Sequence, residues 1–241
     1  MILYVNGDRH AAGADAIVPY NWADDDIKYS WMEGLPHPEN LKVSWGSLLA
    51  QTIKYEFVCH ARPGSSNARI IRTTRDWMDR WIDYREQLLV MIQWSTWDRD
   101  EWVIDHHYHQ INASGHDILP DHYQKKYKEF ISSLDWKECQ EKWHQNIWRL
   151  HQDLDRQKIK HVFFNGDTVF SDIDQKFDWR DSYIEPYTLS YSNWLKDQNI
   201  KPVREGHWHY GAEAHQLWSQ FLLKFLIDKK IIISDDLIRQ W

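Results

Sequence analysis

The apolar run Ile2-Leu3-Tyr4-Val5, stopped at once by Asn6-Gly7, constrains this chain more than any other feature. Four apolar residues without alternation, bounded by a turn signal, read as a short strand buried on both faces. Strands of that kind belong to parallel sheets covered by helices on each side. The turn that follows carries Asp8, Arg9 and His10. The small residues Ala11, Ala12 and Gly13 then read as the opening of a helix. A strand-to-helix turn sits at the carboxyl edge of an α/β sheet, where ligands of such folds bind.

The same unit recurs along the chain. Tyr55-Glu56-Phe57-Val58-Cys59 reads as a second strand and runs into Gly64-Ser65-Ser66-Asn67, where Asn67 can cap the next helix. Leu88-Leu89-Val90-Met91-Ile92 is the clearest buried strand and leads to Trp94-Ser95-Thr96. Lys160 to Asn165 is a fourth, ending in Asn165-Gly166-Asp167. Ile200-Lys201-Pro202-Val203 gives a short fifth, followed by Arg204-Glu205-Gly206-His207. Helical spacing fills the intervals, most clearly in Trp136, Cys139, Trp143, Ile147, Leu150 and Leu154. Strand–helix alternation predicts an α/β fold with a mainly parallel sheet between two helical layers. With right-handed crossovers the expected strand order is 2-1-3-4 plus the short fifth.

No repeat or Pro/Gly-rich linker divides the chain, so one domain over 1–241 is expected, with insertions at 14–40 and 98–133. Within the second insertion, Trp102-Val103-Ile104 and Tyr108-His109-Gln110-Ile111 predict a hairpin. A loop of that length is usually functional, so it is expected to overhang the cleft or contact another subunit. Asp24-Asp25-Asp26 reads as a solvated loop, because three adjacent carboxylates cannot all face one ion. His107 and His109 would share a strand face near His106, but zinc needs three or four converging ligands. No metal or cofactor is expected.

Composition narrows the partners. The net charge of −7 argues against a nucleic-acid backbone. The 16 Trp and 12 Tyr fill cores for the most part, but such rings also stack on sugars. Cys59 and Cys139 suggest no disulfide framework. With no signal peptide and no membrane-length apolar run, a cytoplasmic chain without membrane contact is expected. A homo-oligomer is left open.

Four of these turns, in this order, carry a resemblance. Gly7-Asp8, Gly64 with Asn67, Ser95-Thr96, and Glu205-x-His207 resemble the blocks of the SGNH (GDSL) hydrolases. These are flavodoxin-like α/β esterases and lipases with an N-terminal Gly-Asp-Ser block and a C-terminal Asp-x-x-His block. The resemblance spans nearly the whole chain and lies in the order of the blocks. It implies His207 as general base with Glu205 as its orienter, Asp8 beside them, and Gly64, Asn67, Ser95 or Thr96 around an oxyanion. His209 is a register alternative to His207, and His215 reads as structural.

Three departures stand out: Arg9 occupies the nucleophile position, Ser95 or Thr96 stands where the third block has its asparagine, and the last block is one residue short. A serine attacks only when a base takes its proton, and a guanidinium has no lone pair to offer. Three readings follow. Chemistry survives by another route, with Ser65 or Ser66 as nucleophile or a water activated by His207, on an ester that the aromatic excess would make carbohydrate-linked. Alternatively, Arg9 and His10 convert the pocket into a non-catalytic site for an anion or glycan. In the third reading only the fold is used, as a structural or assembly module.

Overall fold

The computed structural model describes residues 1–17, 35–113, 115–116, 119–206 and 208–232. Asp24-Asp25-Asp26 and His207 lie outside the described residues. In chain order the elements are β1 (Ile2–Asn6), α1 (Pro38–Lys42), α2 (Trp45–Ile53), β2 (Glu56–Cys59), α3 (Asn67–Trp81) and β3 (Leu88–Trp94). Then come β4 (Asp100–Ile104), β5 (His107–Asn112), β6 (Gly115–His116), α4 (Gln124–Ser132), α5 (Trp136–Arg156), β7 (Lys160–Asn165), α6 (Tyr191–Asp197) and α7 (Ala212–Asp228). Among the described residues no helix is long and apolar enough to cross a membrane.

β1, β2, β3 and β7 form a parallel sheet in the order β2-β1-β3-β7. Side chains alternate across a strand, so each apolar run divides between two cores. Leu3, Val5, Leu89, Met91, Val162 and Phe164 face Trp45 and Leu49 of α2, Leu195 of α6, and Trp218 and Leu222 of α7. Ile2, Tyr4, Leu88, Val90, Ile92 and Phe163 face Ile70 and Trp77 of α3 and Trp143, Ile147 and Leu150 of α5. The runs are continuously apolar because both faces are covered. The fold is therefore an α/β three-layer sandwich, as expected from the sequence.

Two local expectations fail. Residues 200–203 do not form a fifth strand. Ile200 N–H instead donates to the Leu195 carbonyl, closing α6, and Pro202 has no N–H to give a ladder. The chain at 182–190 takes the place beside β7, with single parallel bridges from Phe163 to Tyr183 and from Asn165 to Ser190. Nor does Ala11-Ala12-Gly13 open a helix. Ala12 N–H bonds to the Asp8 carbonyl at 3.0 Å and Gly13 N–H to His10 at 3.1 Å, and Gly13 then breaks the turn at φ +68°.

The second insertion does form the expected hairpin, β4 on β5, with β6 added. Asp105 and His106 both adopt left-handed backbone, at φ 49° and 67°, the pattern of a two-residue hairpin turn. The hairpin docks on α3. Arg72 grips Glu101 with two hydrogen bonds of 2.8 Å and lies 3.6 Å from the centre of the Tyr108 ring. Gln110 Oε1 accepts the Ser66 N–H at 2.8 Å, so the insertion reaches the carboxyl-edge turn that opens α3.

Leu89 is fully buried in the layer against α2 and α7. Leu89→Ala is expected to lower the unfolding free energy by about 2–5 kcal/mol, from lost apolar burial plus the cavity left behind. Urea denaturation measures it, and a loss under about 1 kcal/mol would contradict this placement.

Candidate functional site

Because β1, β3 and β7 are parallel and in register, the residues that follow them meet at one edge. Asp8 comes off β1, Ser95 off β3 and Asp167 off β7. The turns close tightly over Gln93: a Cβ on Gly7 would sit 2.9 Å from the Gln93 carbonyl oxygen, and one on Gly166 would sit 2.7 Å from Gln93 Nε2. Only glycine permits that approach.

Asp8 is fully buried. Its Oδ1 accepts from His10 N–H and from Gln93 Nε2, each at 3.2 Å. Its Oδ2 accepts from Ser95 Oγ at 3.3 Å and Arg99 Nη1 at 3.5 Å, and lies 3.7 Å from Arg9 Nη1. Arg9 Nη2 reaches across to Asp167 Oδ2 at 2.5 Å. Asp167 Oδ1 accepts from Ser192 Oγ at 2.6 Å and faces His10 Nε2 at 2.9 Å. Arg99 Nη1 also donates to Ser95 Oγ at 2.9 Å and to the Ser65 carbonyl at 3.2 Å. One buried and one largely buried carboxylate thus share two guanidiniums and an imidazole.

The electrostatics follow from this packing. Burial opposes the charge on Arg9, but Asp167 and then Asp8 outweigh it and raise its pKa. Burial likewise opposes the Asp167 charge, yet His10, Arg9 and the hydrogen bonds from His10 and Ser192 hold that carboxyl well below the usual range. Arg99 is lowered by burial first and by Arg9 second.

The other expected site residues are placed differently. Asn67 braces the third turn: its Oδ1 accepts Ser95 N–H at 2.9 Å, while its Nδ2 donates to the carbonyls of Ser95 at 3.2 Å and Thr96 at 3.4 Å. That amide is committed to backbone and is not a free oxyanion donor. Ser66 caps α3, its Oγ accepting Arg69 N–H at 3.2 Å, and Ser65 Oγ accepts from Arg69 Nη1 at 3.1 Å. Both serines are fully buried, and the structure places Ser66, the expected nucleophile, as the cap of α3. Gly64 adopts left-handed backbone at φ +80° with open space where a Cβ would stand, so the turn's shape accounts for the glycine. Glu205 is exposed to solvent, and the carboxylate partners of Arg9 are Asp167 and Asp8, not Glu205. On the last helix, burial pushes His215 down to about 3, and the neutral ring accepts the Trp45 N–H at 3.4 Å.

Three participants, Asp167, Ser192 and Arg99, are not among the residues expected from the sequence. Asp167 had a signal: the tripeptide Asn-Gly-Asp ends β1 at 6–8 and recurs at the end of β7 at 165–167. Ser192 and Arg99 had none. His209, the register alternative to His207, pairs through Nδ1 with Asp15 Oδ2 at 2.6 Å, with the side chains 24% and 8% exposed. A cleft of about 560 Å³ opens beside Asp167 and Ser192, walled by Trp208 and Tyr210. A larger one of about 660 Å³ lies between the 178–187 segment and α7 and includes none of the carboxyl-edge residues.

A family of unknown function, DUF6071, matches residues 34–170, more than half of the chain. The chain belongs to the DUF6071 family. No curated protein matches it. Among solved structures, it is similar to a carbohydrate esterase described as having divergent catalytic and non-catalytic binding functions, at 16% identity and TM-score 0.43 over 95% of this chain and 65% of that one. It is also similar to an acetyl xylan esterase from the rumen bacterium Butyrivibrio proteoclasticus, at 8% identity and TM-score 0.45 over 95% and 64%. A third is a psychrotrophic esterase from Pseudoalteromonas sp., at 10% identity and TM-score 0.45 over 93% and 96%. The chain spans just under two thirds of the length of the first two.

In this DUF6071 chain the depressed Asp167 carboxyl fixes the sign of a pH effect. Its folded pKa lies below its unfolded value of about 3.9, so its stabilisation is complete above that value and is lost as pH falls toward the folded one. Asp167→Asn leaves Arg9 with Asp8 alone, takes the carboxylate from His10, and is expected to cost about 3–5 kcal/mol near neutral pH. The difference should shrink as both proteins are acidified below about pH 4. Urea titrations at several pH values measure it; parallel stability curves for the two proteins would show that Asp167 titrates normally.

Proposed function

We propose that this DUF6071 protein is a non-hydrolytic ligand-binding protein built on an SGNH-hydrolase-like scaffold. One observation carries the reading: Arg9, at the position where the resemblance expects a nucleophilic serine, is tied to Asp167 at 2.5 Å. A protonated guanidinium cannot form an acyl intermediate. The serine hydroxyls at the edge are engaged elsewhere. Ser66 serves a helix cap, Ser65 accepts from Arg69, Ser95 lies between Asp8 and Arg99, and Ser192 donates to Asp167. The ligand site is the open cleft beside Asp167, suited to a small molecule bearing an anionic group.

A second reading, a hydrolase in which an imidazole activates water, is favoured by the Asp15–His209 pair at 2.6 Å. A carboxylate on Nδ1 orients the ring and leaves Nε2 as the base. A p-nitrophenyl acetate assay separates the two. Wild type is expected to show no turnover above the uncatalysed background. Arg9→Ser should recover weak activity at most, because a missing oxyanion donor costs about a hundred- to a thousandfold in rate. Robust wild-type turnover that disappears in His209→Ala would sink the proposal in favour of the second reading.

A further inference from the structure

We infer that the cleft of about 560 Å³ beside Asp167 binds a negatively charged saccharide, with a sugar ring on Trp208 and the acidic group held by Lys196 and Lys201. The inference deepens the binding reading above and rests on it.

The volume falls within the range of small-molecule sites, about 300–1,000 Å³. Its most unusual wall is Trp208, 68% exposed, whereas seven of the twelve other described tryptophans are buried. An indole left in solvent at the rim of a cleft offers a flat apolar face with a polar N–H at its edge. That combination suits the C–H face and hydroxyl rim of a sugar. Tyr210, 6% exposed, continues the aromatic wall inward, and Ile200 and Pro202 add apolar surface.

The charge is the second argument. Lys196, in the last turn of α6, and Lys201, just beyond it, are both exposed on the cleft, and no ion pair ties either ammonium among the described residues. The carboxylate lining the cleft, Asp167, is already matched from inside by Arg9, His10 and Ser192. The cleft therefore presents two unmatched positive charges in a chain whose net charge is −7. A neutral sugar would leave both ammoniums unused. A long polyanion would be repelled by the overall charge. A short saccharide with a carboxylate or sulfate satisfies the ring face and the ammoniums together.

Calorimetry and quenching of tryptophan fluorescence test it on the full chain, with trigalacturonate, a sulfated trisaccharide and neutral xylotriose as probes. The expected result is saturable binding of at least one acidic probe, at least about tenfold tighter than xylotriose, and weakening as salt shortens the screening length. Trp208→Ala should weaken the acidic probe about tenfold or more. Lys196→Gln/Lys201→Gln should abolish both the preference over xylotriose and the salt dependence. These side chains are exposed, so folding should be unaffected, which circular dichroism checks. Equal affinity for acidic and neutral probes, or acidic binding indifferent to both variants, overturns the inference while leaving the non-hydrolytic reading intact. Absence of binding to any of the three probes also overturns it. Release of p-nitrophenol by wild type instead removes the reading it rests on, and that assay is independent of the titration.

Discussion

The carboxyl edge of the sheet depends on one electrostatic arrangement: two carboxylates, Asp8 fully buried and Asp167 largely so at the cleft wall, neutralised by Arg9 and Arg99. An unpaired carboxylate in that position would carry a desolvation cost of several kcal/mol, so each must be matched where it stands. Arg9 does this in two directions, with one amino group toward each carboxylate. The turns of β1 and β7 are thereby tied together although the two strands are not neighbours, since β3 lies between them. The side chain that follows β1 thus holds the edge in shape.

Around that arrangement the neighbouring turns spend their polar groups on one another. The Asn67 amide clamps the backbone of Ser95 and Thr96, and Gln93 links the Trp45 indole to Asp8 through its own amide. Gln110, from the inserted hairpin, takes the Ser66 N–H at the start of α3. Backbone N–H groups at a helix start are the usual resource for an anion. Here one of them is already satisfied from within the chain. What remains open is displaced sideways, to the cleft under Trp208, where the charges are unmatched and the surface is aromatic.

Much of the fold was legible in the sequence. Runs such as Leu88 to Ile92 are apolar at every position, which an α/β sheet covered on both faces requires, and they locate β1, β2, β3 and β7 within about two residues. The hairpin was legible from its two alternating runs, and α5 from its apolar spacing. The failures were local. Ile200-Lys201-Pro202-Val203 has strand-like residues, but the end of α6 claims its first N–H. Ala11-Ala12-Gly13 has helix-like residues, but Asp8 and His10 carbonyls capture them in turns.

The sequence by itself determined the layers and the strands whose ends bring the turns after β1, β3 and β7 to one edge, because burial on both faces imposes a composition that can be read from a single chain. It also determined that Arg9 stands in a position of consequence after the first strand. Only the tertiary structure decided what Arg9 holds. Asp8 is its sequence neighbour, but Asp167 is 158 residues away, and their pairing exists only once β1 and β7 lie parallel on either side of β3. The same holds for Asp15 and His209, 194 residues apart. Such contacts need donor and acceptor within hydrogen-bond distance, so they require backbones remote in sequence to be positioned closely, and that precision comes from packing rather than from any local pattern.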